Sequence, residues 1–277
     1  MVFLAVVLAA IMHAGWNAVI KGGGDPFATL THMSMMNAVI SLAVIPFVPW
    51  PRPETWAWLV ASVVIHSAYR LLLINAYRLG DLTHVYPIAR GAAPLVTAIA
   101  TFALIAETIA PTGYIAIALL SLGVVLMSLK GGRLGNLDGK VTGFALLSAA
   151  STSAYTLVDG LGARANGSGI GFAVWMFFLN ALAMQVIAGF WRGPAVWTSV
   201  AGAWRPALAG SALSMGAYAI VIWAMTLAPI ALVASLRETS VLFAALIGII
   251  VLGEPVTRWR ILAALAIGAG MVLIKAS

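Results

Sequence analysis

Long apolar runs dominate this chain and limit its possible folds. Most of them extend over about 20 residues, the length that an α-helix needs to cross a bilayer, and short breaks of glycine, proline and charge separate them. Membrane-spanning strands would instead alternate apolar with polar residues. Apolar residues make up 62% of the chain and charged residues only 8%, too few to cover a soluble domain. We therefore predict an all-α integral membrane protein. Soluble enzymes, disordered chains and nucleic-acid-binding domains are excluded despite the net charge of +7.

The runs define ten candidate membrane spans in two groups of five. The longest polar break, residues 130–140, separates the groups, so we predict a first five-helix unit over 1–130, a linker over 131–140 and a second unit over 141–277. The first run lacks the positively charged start of a secretory signal, so it is predicted to be a retained span. The candidate spans are 2–20, 28–48, 56–77, 82–106, 111–129, 141–162, 171–190, 205–227, 231–252 and 256–275.

The two groups resemble each other in the placement of one arginine and one glutamate. Arg90 and Glu107 are 17 positions apart, as are Arg237 and Glu254, and a single offset of 147 superimposes both pairs. In each group the arginine lies in the fourth span and the glutamate ends that span. Because five is an odd number, the two copies must cross the membrane in opposite directions. We therefore predict two inverted five-helix repeats of transmembrane helices around a central cavity.

Lysine and arginine are distributed unevenly between the two ends of the predicted spans. Cytoplasmic loops carry the excess of positive charge, and the end opposite the termini has nine such residues against three. The charge pattern therefore predicts that both termini lie outside the cytoplasm. The three are Arg52, Arg164 and Lys275, and the nine are Lys21, Arg78, Lys130, Arg133, Lys140, Arg192, Arg205, Arg258 and Arg260.

Polar side chains follow helical spacing on spans one, three, four, six, eight and nine, whereas spans five and ten carry almost none. Polar groups in hydrocarbon need a partner or water. We therefore predict that these six spans line the cavity, that spans two and seven brace it, and that spans five and ten face lipid or another subunit. Rings, hydroxyls and amides suit a zwitterion with an apolar side chain. The candidate substrate-binding residues are His13, Trp16, Asn17, His66, Tyr69, Tyr77, Tyr86, Tyr155, Tyr218, Arg90 and Arg237.

Three side chains inside the spans are candidates for carrying a coupling proton, namely His13, Asp159 and Glu238. Asp159 lies near the predicted end of span six, where it is expected to be hydrated. Arg90 and Arg237 have two interpretations, because they either bind a substrate carboxylate or pair with acids and carbonyls as structural groups of the repeat. The two glutamates that end the fourth spans are expected to cap helices and to pair within loops.

Two short motifs carry a resemblance to a known family. Residues 252–256, Leu-Gly-Glu-Pro-Val, resemble the Gly-Glu turn of the drug/metabolite transporter superfamily, and residues 13–17, His-Ala-Gly-Trp-Asn, resemble its first span. The first half departs from this turn, with Ala106 in place of the glycine. Ten spans in two halves are similar to the EamA-type exporters, the nearest branch of that superfamily, and within that branch the chain resembles the YddG-like amino-acid exporters.

The resemblance covers essentially the whole chain and implies a function. It implies a multi-pass protein of a bacterial inner membrane that exports aromatic and other apolar amino acids by alternating access between two repeats. Its partners would be the lipid bilayer and an amino-acid substrate, with no nucleic acid and no cofactor, and the oligomeric state stays open. The resemblance also implies cytoplasmic termini, opposite to the prediction from lysine and arginine.

Two other classes of function stay open. A cationic drug exporter of the same superfamily is the first, although small multidrug exporters carry a glutamate in the first span, where this chain has His13 and Asn17. An intramembrane enzyme is the second and the less favoured, because it needs a nucleophile–base pair or a metal site. The four histidines show no His-Glu-x-x-His spacing, no Gly-x-Ser-x-Gly elbow occurs, and cysteine is absent. We therefore expect no catalytic and no metal-ligating residues.

Overall fold

The computed structural model describes residues 1–22, 25–79, 82–128 and 139–276. Every regular element within these ranges is helical, which agrees with the all-α prediction. In chain order the α-helices are α1 (Val2–Gly22), α2 (Pro26–Val44), α3 (Thr55–Leu79), α4 (Leu82–Ile105), α5 (Pro111–Ser128), α6 (Gly139–Asn166), α7 (Gly169–Arg192), α8 (Ala195–Thr198), α9 (Val200–Met225), α10 (Ile230–Arg237), α11 (Ser240–Leu252) and α12 (Arg258–Ala276).

The helices follow the predicted spans, apart from shifted ends and one division. Span eight begins earlier than predicted, because α9 starts at Val200 and continues through Pro206, whose missing N–H removes a single backbone bond. Span nine is divided into α10 and α11 at Glu238 and Thr239. Six described stretches are long and apolar enough to cross a membrane, while the full ten-span arrangement stays a prediction. The six are Val2–Ile20, Phe27–Phe47, Gly169–Arg192, Val200–Met225, Ile230–Ile250 and Arg258–Ala276.

A tightened turn separates α10 from α11. The backbone N–H of Glu238 donates to the carbonyl of Ser235 at 3.1 Å, and that of Thr239 donates to the carbonyl of Leu236 at 3.2 Å. Both bonds have the three-residue spacing of a 3-10 helix, and the Thr239 hydroxyl donates to the same Leu236 carbonyl at 2.7 Å. Such a stretch within a longer helical run is typical of a hinge.

The turns that follow α4 and α11 have the same backbone geometry. The backbone N–H of Glu107 bonds to a carbonyl six residues earlier at 3.1 Å, and that of Glu254 does the same at 3.2 Å. The residue before each glutamate is left-handed, with φ of 50° at Ala106 and 65° at Gly253. Glycine adopts this conformation without steric cost, whereas alanine does not. The first half therefore keeps the turn of the second half at a cost in backbone strain.

Helices α5 and α12 pack against each other through one glycine on each. A Cβ atom at Gly123 would lie 2.5 Å from Cγ1 of Ile267, and one at Gly270 would lie 2.7 Å from Cγ of Leu120. The missing side chains therefore let the two helices approach closely. Other faces of the same helices carry exposed apolar side chains such as Leu265. The prediction that spans five and ten face lipid or another subunit is thus incomplete, because one face of each contacts the other.

The remaining helices pack around the polar side chains inside the protein. Helix α1 packs along α9 and α3 packs along α6, while α4 contacts α6 and α10, and α2 contacts α7 and α9. An apolar core holds α1, α6, α9 and α10 together, through the buried side chains of Val6, Leu157, Val221 and Ile230. The polar residues described next lie on these packed helices.

Candidate functional site

A buried carboxylate at the break between α10 and α11 holds two arginines. Glu238 is 1% exposed; its Oε2 lies 3.0 Å from Nη1 of Arg90 on α4, and its Oε1 lies 3.0 Å from Nη2 of Arg237 on α10. Buried charges need such partners. The interpretation that both arginines pair with acids is confirmed, and the same acid serves both. Their binding of a substrate carboxylate stays a prediction.

Among the described side chains, this cluster holds more positive than negative charge. Two guanidiniums face one carboxylate, and Nε of Arg237 is buried without a hydrogen-bond partner among the described residues. Surplus positive charge and an unused N–H donor are the features that attract an anionic group. In the part of the chain that the structure describes, no three His, Asp or Glu side chains gather as metal ligands would.

His13 extends the cluster to α1. Its Nε2 lies 3.3 Å from Nη2 of Arg90, and its ring stands edge-on to Trp16 with centroids 5.0 Å apart. The Asn17 amide donates to the backbone carbonyl of His13 at 2.7 Å. The structure therefore brings two of the three predicted α1 residues together with the charged cluster. The amide donor of the third is used within its own helix.

Tyr218 connects the arginines to a second acid. Its ring centroid lies 5.8 Å from Cζ of Arg237, and its hydroxyl donates to Oδ2 of Asp159 at 2.7 Å. The same oxygen lies 3.0 Å from Nε2 of His66 on α3. The side chains of α1, α3, α4, α6, α9 and α10 thus form one connected set. Residues from six of the predicted spans therefore contact one another in sequence, while their lining of a central cavity stays a prediction.

The prediction that Asp159 is hydrated near a span end is wrong. Helix α6 continues to Asn166, beyond the predicted end of its span, so that Asp159 lies well inside the helix. Asp159 is fully buried. Tyr218 and His66 both contact Oδ2 of the carboxylate, in the place where water was expected.

Aromatic rings surround this acid. The His66 and Tyr155 rings are stacked with centroids 4.2 Å apart, and the Tyr69 ring stands edge-on to Tyr155 at 5.7 Å. Tyr218 is 6.4 Å from Tyr155 and 6.1 Å from Phe177 on α7. We call these five side chains the ring cluster. It places a broad apolar and weakly polar surface next to the two buried acids.

Sequence reasoning missed some contributors to this region. Phe177 lies on a span that was expected only to brace the cavity, and the signal for it was the aromatic run at residues 175–178. Arg70 shares the polar face of span three but was not among the candidate binding residues, and Nη1 of its side chain reaches the carbonyl oxygen of Asn180 at 3.5 Å and ties α3 to α7. The side chains of Tyr77 and Tyr86 lie outside the described part of the chain, so their predicted roles stay predictions.

Glu107 ties the first half to the second, as a cap on α10. Its Oε2 accepts the backbone N–H of Ile230 at 2.8 Å, and its Oε1 lies 2.9 Å from Nη2 of Arg164 at the end of α6. In the second half, Glu254 pairs with Arg260. Capping is therefore confirmed for Glu107, although the helix that it caps belongs to the other half, and each glutamate pairs with an arginine at the end of a helix.

A cavity of about 320 Å³ lies between α1, α2 and α9, and none of the predicted site residues lines it. His32 is one of its lining residues, with Nε2 3.0 Å from the carbonyl oxygen of Val196 and 3.0 Å from Oγ of Ser199. The central cavity predicted from the sequence stays a prediction. The lining residues are Val19, Ala28, Thr29, His32, Ala203, Pro206 and Ala207.

Comparison with known proteins gives one family and a fold. The model of the EamA-like transporter family matches residues 1–129 and 140–276. No curated protein sequence matches the chain. One solved structure, described only as "Crystal structure of protein", superposes with a TM-score of 0.76 at 15% sequence identity and covers 99% of this chain and 98% of that chain. At this identity the likeness establishes the shared fold alone.

Proposed function

The chain belongs to the EamA-like transporter family, and on this premise we propose that it exports apolar and aromatic amino acids across a bacterial inner membrane. Membership makes it a multi-pass membrane protein that transports small molecules. The amino-acid substrate rests on one observation, the shared pairing of Arg90 and Arg237 with Glu238 beside the ring cluster. That arrangement offers an anion site and an apolar wall within one buried region.

The arginine pair supports recognition of a carboxylate. Its charge among the described side chains is positive, and Nε of Arg237 has no partner among them. A carboxylate that approached this side would gain charge-assisted hydrogen bonds, which are stronger than those between neutral groups. Arg90 is 16% exposed and Arg237 only 5%, so Arg90 is the first guanidinium that a substrate would meet.

The ring cluster supports an apolar or aromatic side chain on the substrate. Tyr69, Tyr155 and Phe177 offer ring surface without charge. Aromatic pairs gain about 0.5–1.5 kcal/mol beyond the burial of their area. Amino acids with large apolar side chains would therefore bind better than small or charged ones.

Two features support the inverted five-helix repeats. The packing of α1 on α9 has its counterpart in α6 on α3, and that of α2 on α9 in α7 on α3. Asp25 caps α2 and Ser168 caps α7, and these residues are 143 positions apart, as are Asn37 and Asn180. The proposed units are residues 1–130 and 141–277, joined by the linker over 131–140.

Ion pairs at helix ends support ten alternating spans. Arg192 at the end of α7 lies 2.9 Å from Asp25 before α2, and Arg164 in the last turn of α6 lies 2.9 Å from Glu107 after α4. Alternating spans would place each of these pairs on a common side of the membrane. Rocking of one repeat against the other would then open the buried site to each side in turn, with the tightened turn between α10 and α11 as one hinge.

Efflux from proteoliposomes tests the function. Vesicles loaded with labelled phenylalanine, leucine or lysine should release the first two in a saturable manner when they contain the protein. Arg237→Gln should slow release at least about tenfold, because a hydrogen bond to a charged group contributes about 1.5–3 kcal/mol. Arg192→Gln, which changes an exposed ion pair far from the cluster, should not. Absence of flux for every apolar amino acid with folded protein would contradict the proposal.

Export of cationic drugs is a second candidate, favoured by the buried carboxylate of Asp159 within the ring cluster. Carboxylates and ring faces are the groups that bind organic cations. The same vesicles loaded with tetraphenylphosphonium decide between the two functions. Release of this cation without release of any amino acid would replace the first proposal by the second.

A further inference from the structure

Asp159 differs from Glu238 in the way its charge is balanced. Each carboxylate oxygen of Glu238 faces a guanidinium. In Asp159, Oδ2 accepts the Tyr218 hydroxyl and contacts His66, while Oδ1 is buried without a partner among the described residues. A buried acceptor without a donor is costly. This oxygen is therefore a place where a further donor would stabilise the protein.

The groups that face Asp159 come from several helices. His66 on α3 and Tyr218 on α9 bond to it directly, Tyr155 on α6 stacks on the imidazole, and Arg237 on α10 reaches only the Tyr218 ring. That guanidinium already belongs to the ion pair at the α10–α11 break. Further titratable groups on the packed helices are Tyr69 and Arg70 on α3, Arg90 on α4, His13 on α1 and Glu238 after α10, while Arg164, Arg192 and Arg205 lie toward the ends of α6, α7 and α9.

His66 is the base that contacts Asp159 in the described part of the chain, and it makes the charge of the pair adjustable. The two side chains together are neutral when they hold one proton and carry one negative charge when they have lost it. A net charge in a low-dielectric region is costly unless a cation compensates it. A cation that enters can therefore replace the proton, and a proton that enters can replace the cation.

We propose that Asp159 and His66 form an exchange site, at which the ammonium group of a substrate binds to Asp159 as one proton leaves the pair. This inference rests on the proposed export of amino compounds. The substrate arrives as R–NH3⁺ and binds by ion pairing and hydrogen bonds, so no covalent bond of the substrate changes. One H⁺ passes to water by way of His66, which is 15% exposed, whereas Asp159 is not exposed at all. The total charge of the site is the same before and after the exchange.

The ring cluster fits the same role. Ammonium groups are attracted to ring faces within about 6 Å of the centroid, and the rings of His66, Tyr155 and Tyr218 have centroids 4.2–6.4 Å from one another. His66 and Tyr218, which both contact the other oxygen of Asp159, would offer ring surface beside a cation at Oδ1. The guanidiniums of Arg90 and Arg237 would bind the carboxylate of a zwitterionic substrate. Protonation of the pair would then expel the ammonium and couple export to proton entry.

Calorimetric binding to the purified full-length protein in detergent tests the exchange. Binding heats are measured in buffers of different ionisation enthalpy, and their slope gives the number of protons released per bound ligand. The ligands are L-phenylalanine, phenethylamine, which lacks the carboxylate, and 3-phenylpropanoate, which lacks the amine. We expect release of about one proton for each of the two amines and none for phenylpropanoate, because binding and proton release are linked.

Matched variants locate the site. Asp159→Asn should abolish proton release and weaken phenethylamine binding at least tenfold while phenylpropanoate still binds, which also reports that the variant is folded. Asp25→Asn makes the same chemical change at an exposed helix cap, where asparagine caps as well as aspartate. It should leave proton release unchanged.

The outcomes separate this inference from the proposed function. If phenylalanine binds without proton release, the exchange site is overturned while amino-acid export stands. If phenethylamine binds with proton release and phenylalanine does not bind, the exchange site stands and the amino-acid substrate is wrong. Absence of proton release with every ligand overturns the inference, as does release that persists in folded Asp159→Asn protein.

Discussion

The carboxylate of Glu238 compensates positive charge in the protein's interior. Because Arg90 and Arg237 both pair with it, Glu238→Gln leaves two buried guanidiniums beside a neutral amide. Removing one partner of a buried ion pair costs about 3–5 kcal/mol. We therefore expect a large drop in the free energy of unfolding, measured by denaturant titration of the detergent-solubilised protein.

Two further variants control this prediction. Adding Arg90→Gln to Glu238→Gln should recover part of the stability, because one uncompensated charge is removed. Glu54→Gln, at an exposed position, should leave the unfolding midpoint unchanged. An unchanged midpoint in Glu238→Gln would mean that the two ion pairs contribute nothing to stability.

Ala106 offers a test of backbone strain. It has φ of 50° in the turn where the second half has Gly253 with φ of 65°. A left-handed conformation costs an L-residue about 1–2 kcal/mol, while glycine loses more conformational entropy than alanine when the chain folds. Ala106→Gly should therefore raise the unfolding temperature slightly and Gly253→Ala should lower it, as followed by thermal denaturation in detergent. A fall in both variants would show that the alanine turn is not strained.

Sequence patterns identified most of the residues that meet in the site but not how they pair. Helical spacing placed His66, Tyr155 and Tyr218 on faces that point inward, because a period of 3.6 residues fixes which side chains share a face. The contact between His66 and Asp159 joins residues 93 positions apart. It depends on the rotation of two helices about their axes, which neither helix's own pattern determines.

At the scale of whole helices, the packing of α5 against α12 depends on Gly123. A Cβ atom there would lie 2.5 Å from Cγ1 of Ile267 and 3.0 Å from the carbonyl oxygen of Ala263. Since the backbone cannot yield as a side chain does, Gly123→Val should force the helices apart at a cost of about 1–3 kcal/mol. Gly268→Val on α12, where nothing lies within 4 Å, is the matched control and should be close to neutral. Equal effects on the unfolding temperature would contradict this account of the interface.

The division of span nine is the feature of element structure that the sequence did not predict. Residues 237–240 are Arg-Glu-Thr-Ser within an otherwise apolar run, a pattern that fits an unbroken helix with polar side chains equally well. The tightened turn is favoured because Thr239 bonds back to a carbonyl three residues earlier. The choice between these backbone forms depends on the partners of Glu238, one of which, Arg90, comes from α4.

For the whole molecule, the all-helical architecture followed from the lengths and apolarity of the runs, because only helices satisfy their own backbone within one such segment. The contacts that join the two halves could not be predicted from these runs. Glu107 caps the first turn of α10 through the N–H of Ile230, so a residue of the first half stabilises a helix of the second. A cap is recognisable from sequence only when it precedes its own helix, and this one lies more than a hundred positions away.

The absence of cysteine makes the orientation of the molecule directly measurable. Glu54 and Pro194 are exposed at loops that ten alternating spans place on opposite sides of the membrane. The excess of lysine and arginine lies on the Pro194 side, and positive loops stay in the cytoplasm. In spheroplasts, a membrane-impermeant maleimide should therefore label Glu54→Cys, and should label Pro194→Cys only after the membrane is permeabilised. The cysteine-free protein controls for background. The reverse pattern would place the termini in the cytoplasm, as the family resemblance implies, and labelling of both from one side would contradict ten spans.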